Sequence, residues 1–191
     1  LRNITLVCQD WGGLLGLALV GEMPDRFARL IVMNTGLPTG EKPGPAFLQW
    51  RAFAAQQTDM NVGDVLERGT FSNLTPTVRA AYDAPFPDKT YKAGAHQFPL
   101  LVPISKDDPA IPRMEKARQV LGQWNKPALV MFSDKDAVSA GGDRMFRALL
   151  PTAKNEPEIV IRNAGHFLQE DKGEEIAGHI VEFLKRRPIT K

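Results

Sequence analysis

The sequence predicts an α/β chain in which a parallel sheet is flanked by helices and interrupted by an inserted helical segment. Three observations predict it. Short apolar, β-branched runs of strand length recur near residues 4–8, 29–34, 128–132 and 158–161, and helical patterns separate them. A strand, helix, strand succession as short as the first one requires a parallel crossover. Between residues 36 and 108 the texture changes, with recurrent Pro and Gly and short amphipathic stretches in place of strands.

Taken in order, Ile4-Thr5-Leu6-Val7-Cys8 is a buried strand and residues 12–22 a buried helix stopped by Met23-Pro24. Residues 29–34 form the second strand. In the inserted segment, residues 46–57 and 62–68 read as short helices. Residues 112–123 are helical, residues 128–132 a third strand, and residues 142–150 a helix ended by Pro151. Residues 158–161 make the fourth strand and residues 174–185 a closing amphipathic helix. The core is therefore expected over residues 1–35 and 109–191, and a helical cap over residues 36–108. No internal repeat or low-complexity tract is evident.

Chemistry concentrates where the first strand meets the first helix. The change of period falls on Asp10, and the glycines at 12 and 13 permit a tight turn and close packing of helix on strand. This is the mechanics of a nucleophile elbow with a carboxylate where a serine hydrolase has Ser. The helix N-terminus favours a charged carboxylate there. Asp136 and His166 likewise follow predicted strands within a few residues. Sites of parallel α/β sheets lie beyond the carboxyl ends of strands, so the three side chains should gather on one edge. A histidine acts as base when a buried acid fixes its tautomer, and Asp136 suits that task. Alone, Asp136 would read as a turn or cap residue and His166 as a packed core histidine; together with Asp10 they read as a catalytic set. Asp134, two residues before Asp136, is a competing acid; His96 and His179 are expected to be ordinary residues, and Cys8 buried packing.

The run Gln9-Asp10-Trp11-Gly12-Gly13 resembles the elbow of haloalkane dehalogenases of the α/β-hydrolase fold. Ser133-Asp134-Lys135-Asp136 is similar to the segment carrying that family's acid, and Asn163-Ala164-Gly165-His166-Phe167-Leu168-Gln169-Glu170 to the one carrying its histidine. Phe47-Leu48-Gln49-Trp50 and Tyr82-Asp83-Ala84-Pro85-Phe86-Pro87-Asp88 resemble cap stretches of the subfamily that holds halide between two tryptophans. The resemblance implies a partial α/β-hydrolase fold, Asp10 as nucleophile, Asp136 as acid, His166 as general base, and Trp11 and Trp50 as halide donors. The Trp11 backbone N–H would serve the oxyanion, and Trp124 would be structural. No cofactor and no metal are implied.

A carboxylate suits displacement of a leaving group from saturated carbon, giving an alkyl ester that water activated by His166 hydrolyses. Trp11, where fluoroacetate dehalogenases typically place Arg, points to a small neutral halogenated substrate. Epoxide hydrolases, which use cap tyrosines, are the neighbouring alternative, with only Tyr82 and Tyr91 available here. The family has strands before the elbow strand and a second oxyanion donor in a preceding loop. A sequence opening at Leu1 is thus expected to be a partial dehalogenase active with its N-terminal portion, or otherwise a noncatalytic remnant.

Composition bounds the rest. At 191 residues, 43% hydrophobic and 24% charged, the chain can bury a core, and a net charge of +2 with interspersed signs argues against nucleic acid. The single cysteine excludes an internal disulfide and fits a cytoplasmic protein. No run is apolar enough to span a bilayer, so no membrane partner is expected. Oligomeric state is not legible, and a monomer is compatible with the complete protein.

Overall fold

The computed structural model describes residues 1–189. Strand β1 (Ile4–Gln9) runs into α1 (Trp11–Glu22) with Asp10 alone between them. The helix closes at Met23, whose N–H reaches Leu19 O at 2.9 Å, because Pro24 has no N–H with which to continue it. Strand β2 (Phe27–Met33) then lies parallel to β1, with Leu6 opposite Leu30 and Cys8 opposite Val32. Residues 36–108 hold four helices and contribute no strand: α2 (Pro45–Gln56), α3 (Val62–Gly69), α4 (Pro76–Asp83) and α5 (Ala93–Leu101). Local chemistry explains their starts. Pro45 and Pro76 occupy the first turn, where a missing N–H costs nothing, while the Asn61 and Thr75 side chains accept the N–H groups of Asp64 and Val78.

Helix α6 (Ile111–Gly122) leads to β3 (Ala128–Ser133), α7 (Gly142–Leu149), β4 (Ile159–Ile161) and α8 (Leu168–Arg186). All pairings are parallel, in the spatial order β1-β2-β3-β4. The sheet is covered on both faces. Leu30, Val32, Val130 and Phe132 join a core with Leu17 and Val20 of α1, Met114 and Leu121 of α6 and Phe146 of α7. The alternating residues Ile31, Met33, Leu129 and Met131 join the opposite core with Leu168, Ile176 and Phe183 of α8. Strands buried on both faces lose the polar alternation of half-exposed ones, which is why β2 and β3 read as continuous apolar runs.

The closing helix differs from its expected span of residues 174–185. It begins at Leu168, and Lys172, at φ −142°, breaks the helical geometry inside it. The buried positions Leu168 and Ile176 are separated by a polar stretch containing Gly173, so the apolar period is lost across the break and the first turn is invisible to periodicity.

Candidate active site

Asp10 sits at φ 47°, ψ −124°, a conformation that non-glycine residues adopt only when the surroundings impose it. Those surroundings are hydrogen bonds. The Asp10 N–H donates to Asn34 O at 3.0 Å, and the Asp10 carbonyl accepts from Gly13 N–H at 2.9 Å and from Thr35 Oγ1 at 2.6 Å. A Cβ on Gly13 would run into the Thr35 side chain, whereas one on Gly12 would meet nothing within 4 Å. Gly13 is thus the glycine that the elbow requires. With the backbone fully engaged, the Asp10 carboxylate makes no cap to its own helix and stays 45% exposed.

Beyond β4, the chain turns so that the His166 imidazole, 14% exposed, lies between two acids: Nδ1 is 3.0 Å from Asp136 Oδ2 and Nε2 is 3.4 Å from Asp10 Oδ1. Asp136 follows β3 and its side chain is 2% exposed. Its carboxylate also accepts the Val138 N–H at 2.8 Å and the Ser139 hydroxyl. Burial pushes the Asp136 carboxyl up, but the hydrogen bond and charge of His166, with Ser139 and Val138, outweigh it and hold the group below the usual carboxylate range. For His166 burial pushes down, while hydrogen bonds and charge from Asp10 and Asp136 prevail and carry it up to about 9. An imidazole whose Nδ1–H is fixed on a buried carboxylate presents Nε2 for proton transfer.

The three side chains expected at one edge therefore meet there, His166 touching both Asp10 and Asp136. Trp11, the first residue of α1, and Trp50 of α2 line the same cavity of about 540 Å³ as Asp10 and His166. Its walls are mostly apolar, with Phe47 and Phe53 from α2, Leu66 from α3 and Phe98 from α5, joined by Gln49 of α2 and Arg68 of α3. The Trp11 ring meets Phe98 edge-on at 4.9 Å between centroids, and Trp50 stacks on Phe53 at 5.9 Å.

Residues given no part by the sequence are also placed. Trp124 is 3% exposed in the core, with Lys126 Nζ 5.0 Å above its ring. Asp134 accepts the Asn163 N–H at 2.8 Å, His96 accepts that of Met60 at 3.4 Å, and His179 pairs with Glu175 along α8. Burial pushes the Cys8 thiol up to about 12, which leaves it unreactive. The Tyr82 hydroxyl donates to Glu170, Tyr91 is exposed, and neither lines the cavity.

Two contributors escaped sequence reasoning. Gln9 Nε2 donates to His166 O at 3.1 Å and lies 3.4 Å from His166 Nε2. Asn34, fully buried at φ 28°, donates from Nδ2 to Ser133 Oγ and to the carbonyls of Gly165 and His166, and accepts the Ser133 N–H. Each is a polar residue closing an apolar strand at its carboxyl end, and that was the available signal. Among the described residues no group of three His, Cys, Asp or Glu could hold a metal ion, and no helix is long and apolar enough to cross a membrane.

Known proteins resemble this chain along nearly its whole length. Over 189 residues the chain is 49% identical to a haloalkane dehalogenase of Psychrobacter cryohalolentis, covering 98% of this chain and 62% of that protein. A haloalkane dehalogenase of Mycolicibacterium paratuberculosis is 46% identical over 184 residues, 96% of this chain and 61% of that one. The chain thus spans less than two thirds of the length of either relative. A haloalkane dehalogenase from Paraglaciecola agarilytica, itself described as tetrameric, superposes with a TM-score of 0.85 at 37% identity, over 93% of this chain and 59% of its own. The model of the α/β-hydrolase fold matches residues 1–173, a stretch that contains the elbow, the acid and the histidine. By that match, with its parallel sheet and strand-to-helix elbow, the chain belongs to the α/β-hydrolase fold family.

Proposed function

We propose that the protein hydrolyses haloalkanes to alcohol and halide, with residues 36–108 forming a cap over the site. One observation carries the reading: the side chain standing on the elbow, inside an apolar cavity and 3.4 Å from the histidine, is a carboxylate and not a hydroxyl. An Asp10 oxygen attacks the carbon that bears the halogen; the C–O bond forms as the carbon–halogen bond breaks, and the electron pair leaves with the halide. The indole N–H groups of Trp11 and Trp50 are neutral donors on apolar bodies, suited to hold that halide without giving it a proton.

Water then attacks the ester carbonyl carbon of Asp10 while its proton passes to His166 Nε2, with Asp136 stabilising the imidazolium. The Trp11 backbone N–H, free at the first position of α1, donates to the oxyanion. Collapse expels the alkoxide, which takes the proton held by His166 and leaves as the alcohol, and the Asp10 carboxyl gives its remaining proton to solvent to restore the carboxylate. The apolar lining fits a small neutral halogenated substrate. The tyrosines that an epoxide hydrolase needs to protonate its substrate lie away from the cavity, which weighs against that alternative. A cytoplasmic location accords with the single, buried cysteine.

The test is halide release from a panel of chloro- and bromoalkanes by the full natural gene product, with a styrene-type epoxide in parallel. Release is expected from the parent and its abolition in Asp10→Asn. Epoxide turnover without halide release would move the function to the neighbouring hydrolases.

A further inference from the structure

We propose that Asp171 is a positioning residue, a single carboxylate that fixes the His166 turn against the α3–α4 loop, so that the base and the helices over the cavity keep one relative place. Asp171 stands in the first turn of α8, just before the break at Lys172. Its Oδ2 accepts the N–H groups of Phe71 and Gly165, both at 2.8 Å. Its Oδ1 accepts the Ser72 N–H at 2.8 Å and the Ser72 hydroxyl. Among the described residues no Lys or Arg pairs with it, so four neutral donors satisfy the charge. One of them, on Gly165, precedes the base in sequence; the other three, on Phe71 and Ser72, lie about a hundred residues away, between α3 and α4.

The two parts meet with no slack. Phe167 N–H donates to Gly69 O at 3.1 Å. A Cβ on Gly165 would strike Gly69 O, and one on Gly69 would strike the Phe167 ring. His166 is therefore flanked by Phe167, bonded across this joint to Gly69, and by Gly165, packed against Gly69 and bonded to Asp171. A shift of the α3–α4 loop moves the imidazole, and loss of the carboxylate frees both.

The proposal rests on the dehalogenation reading, in which His166 acts only in ester hydrolysis. Displacement of about 1 Å in a reacting group costs roughly a hundredfold in rate, so hydrolysis should suffer where alkylation does not. Asp171→Asn keeps the shape but turns an amide N–H₂ toward two backbone N–H donors. In the full gene product it should slow hydrolysis about tenfold to a hundredfold while first-turnover halide release keeps its rate. The alkyl-enzyme then accumulates and is seen by intact mass. Ser72→Ala, which removes only the hydroxyl contact and leaves the backbone bonds, should act in the same direction more weakly, and serves if the Asn variant does not fold. Parent-like alkyl-enzyme in the folded variants, or equal loss of both steps, overturns the proposal; a parent that releases no halide removes the proposal together with the reaction on which it rests.

Discussion

At the scale of single residues, the tension lies in His166. Held up to about 9, it is protonated at neutral pH and cannot accept a proton from water. Part of that elevation comes from Asp10, and in the proposed reaction alkylation would convert the Asp10 carboxylate into a neutral ester. The first chemical step would thus lower the affinity of His166 for its proton and release the base for the second. Asp10→Asn imitates the uncharged ester, so the His166 imidazole followed by NMR should titrate at lower pH in that variant than in the parent. An unchanged titration would show that Asp136 alone sets it. Gln9 lies beside the same ring, its Nε2 3.4 Å from His166 Nε2. Its neighbour Asp10 announced itself in the sequence by interrupting an apolar pattern at a strand end. Gln9 did not, because a glutamine at a strand's end has no single meaning until the partner across the sheet is known.

At the scale of elements, the elbow separates two glycines that look alike in sequence. Gly13 packs so closely on Thr35 that any side chain must displace the hydroxyl holding the Asp10 carbonyl. Gly12 faces open space. Gly13→Ala is expected to lose about 1–3 kcal/mol by overpacking, and Gly12→Ala to be neutral or stabilising by up to about 1 kcal/mol through helix propensity. Urea unfolding of the two variants checks this, and equal losses would show that the turn itself demands both. The same close packing explains what local pattern missed in α8. Leu168 is buried in the core under the sheet, yet its helix breaks at Lys172, so the residues that position His166 lie ahead of the stretch that periodicity recognises.

For the whole molecule, the buried His166–Asp136 pair ties stability to pH. The folded protein holds His166 at about 9, above its ordinary 6.5, so its contribution is complete below about 6.5 and is lost as pH rises through about 9. Asp136 is held below its ordinary 3.8, so its contribution is present above that value and is lost as pH falls through its folded value. The melting temperature of the parent should therefore decline between about pH 6.5 and 9, and His166→Gln should remove that part of the decline. A decline of equal size in the variant would assign it to other groups. The sequence alone determined the order of the strands and of the helices outside residues 36–108, the parallel sheet and the strand-end positions of Asp10, Asp136 and His166, but not α4 and α5. Those follow from period, from turn residues and from the fact that parallel strands present their loops on one edge. Tertiary structure alone decided that Asn34 binds three strand ends, that Gln9 faces the imidazole, and that one carboxylate in α8 holds the α3–α4 loop. Such contacts join residues about a hundred or more positions apart, and no local pattern encodes a hydrogen bond whose partner is chosen by the packing of the sheet.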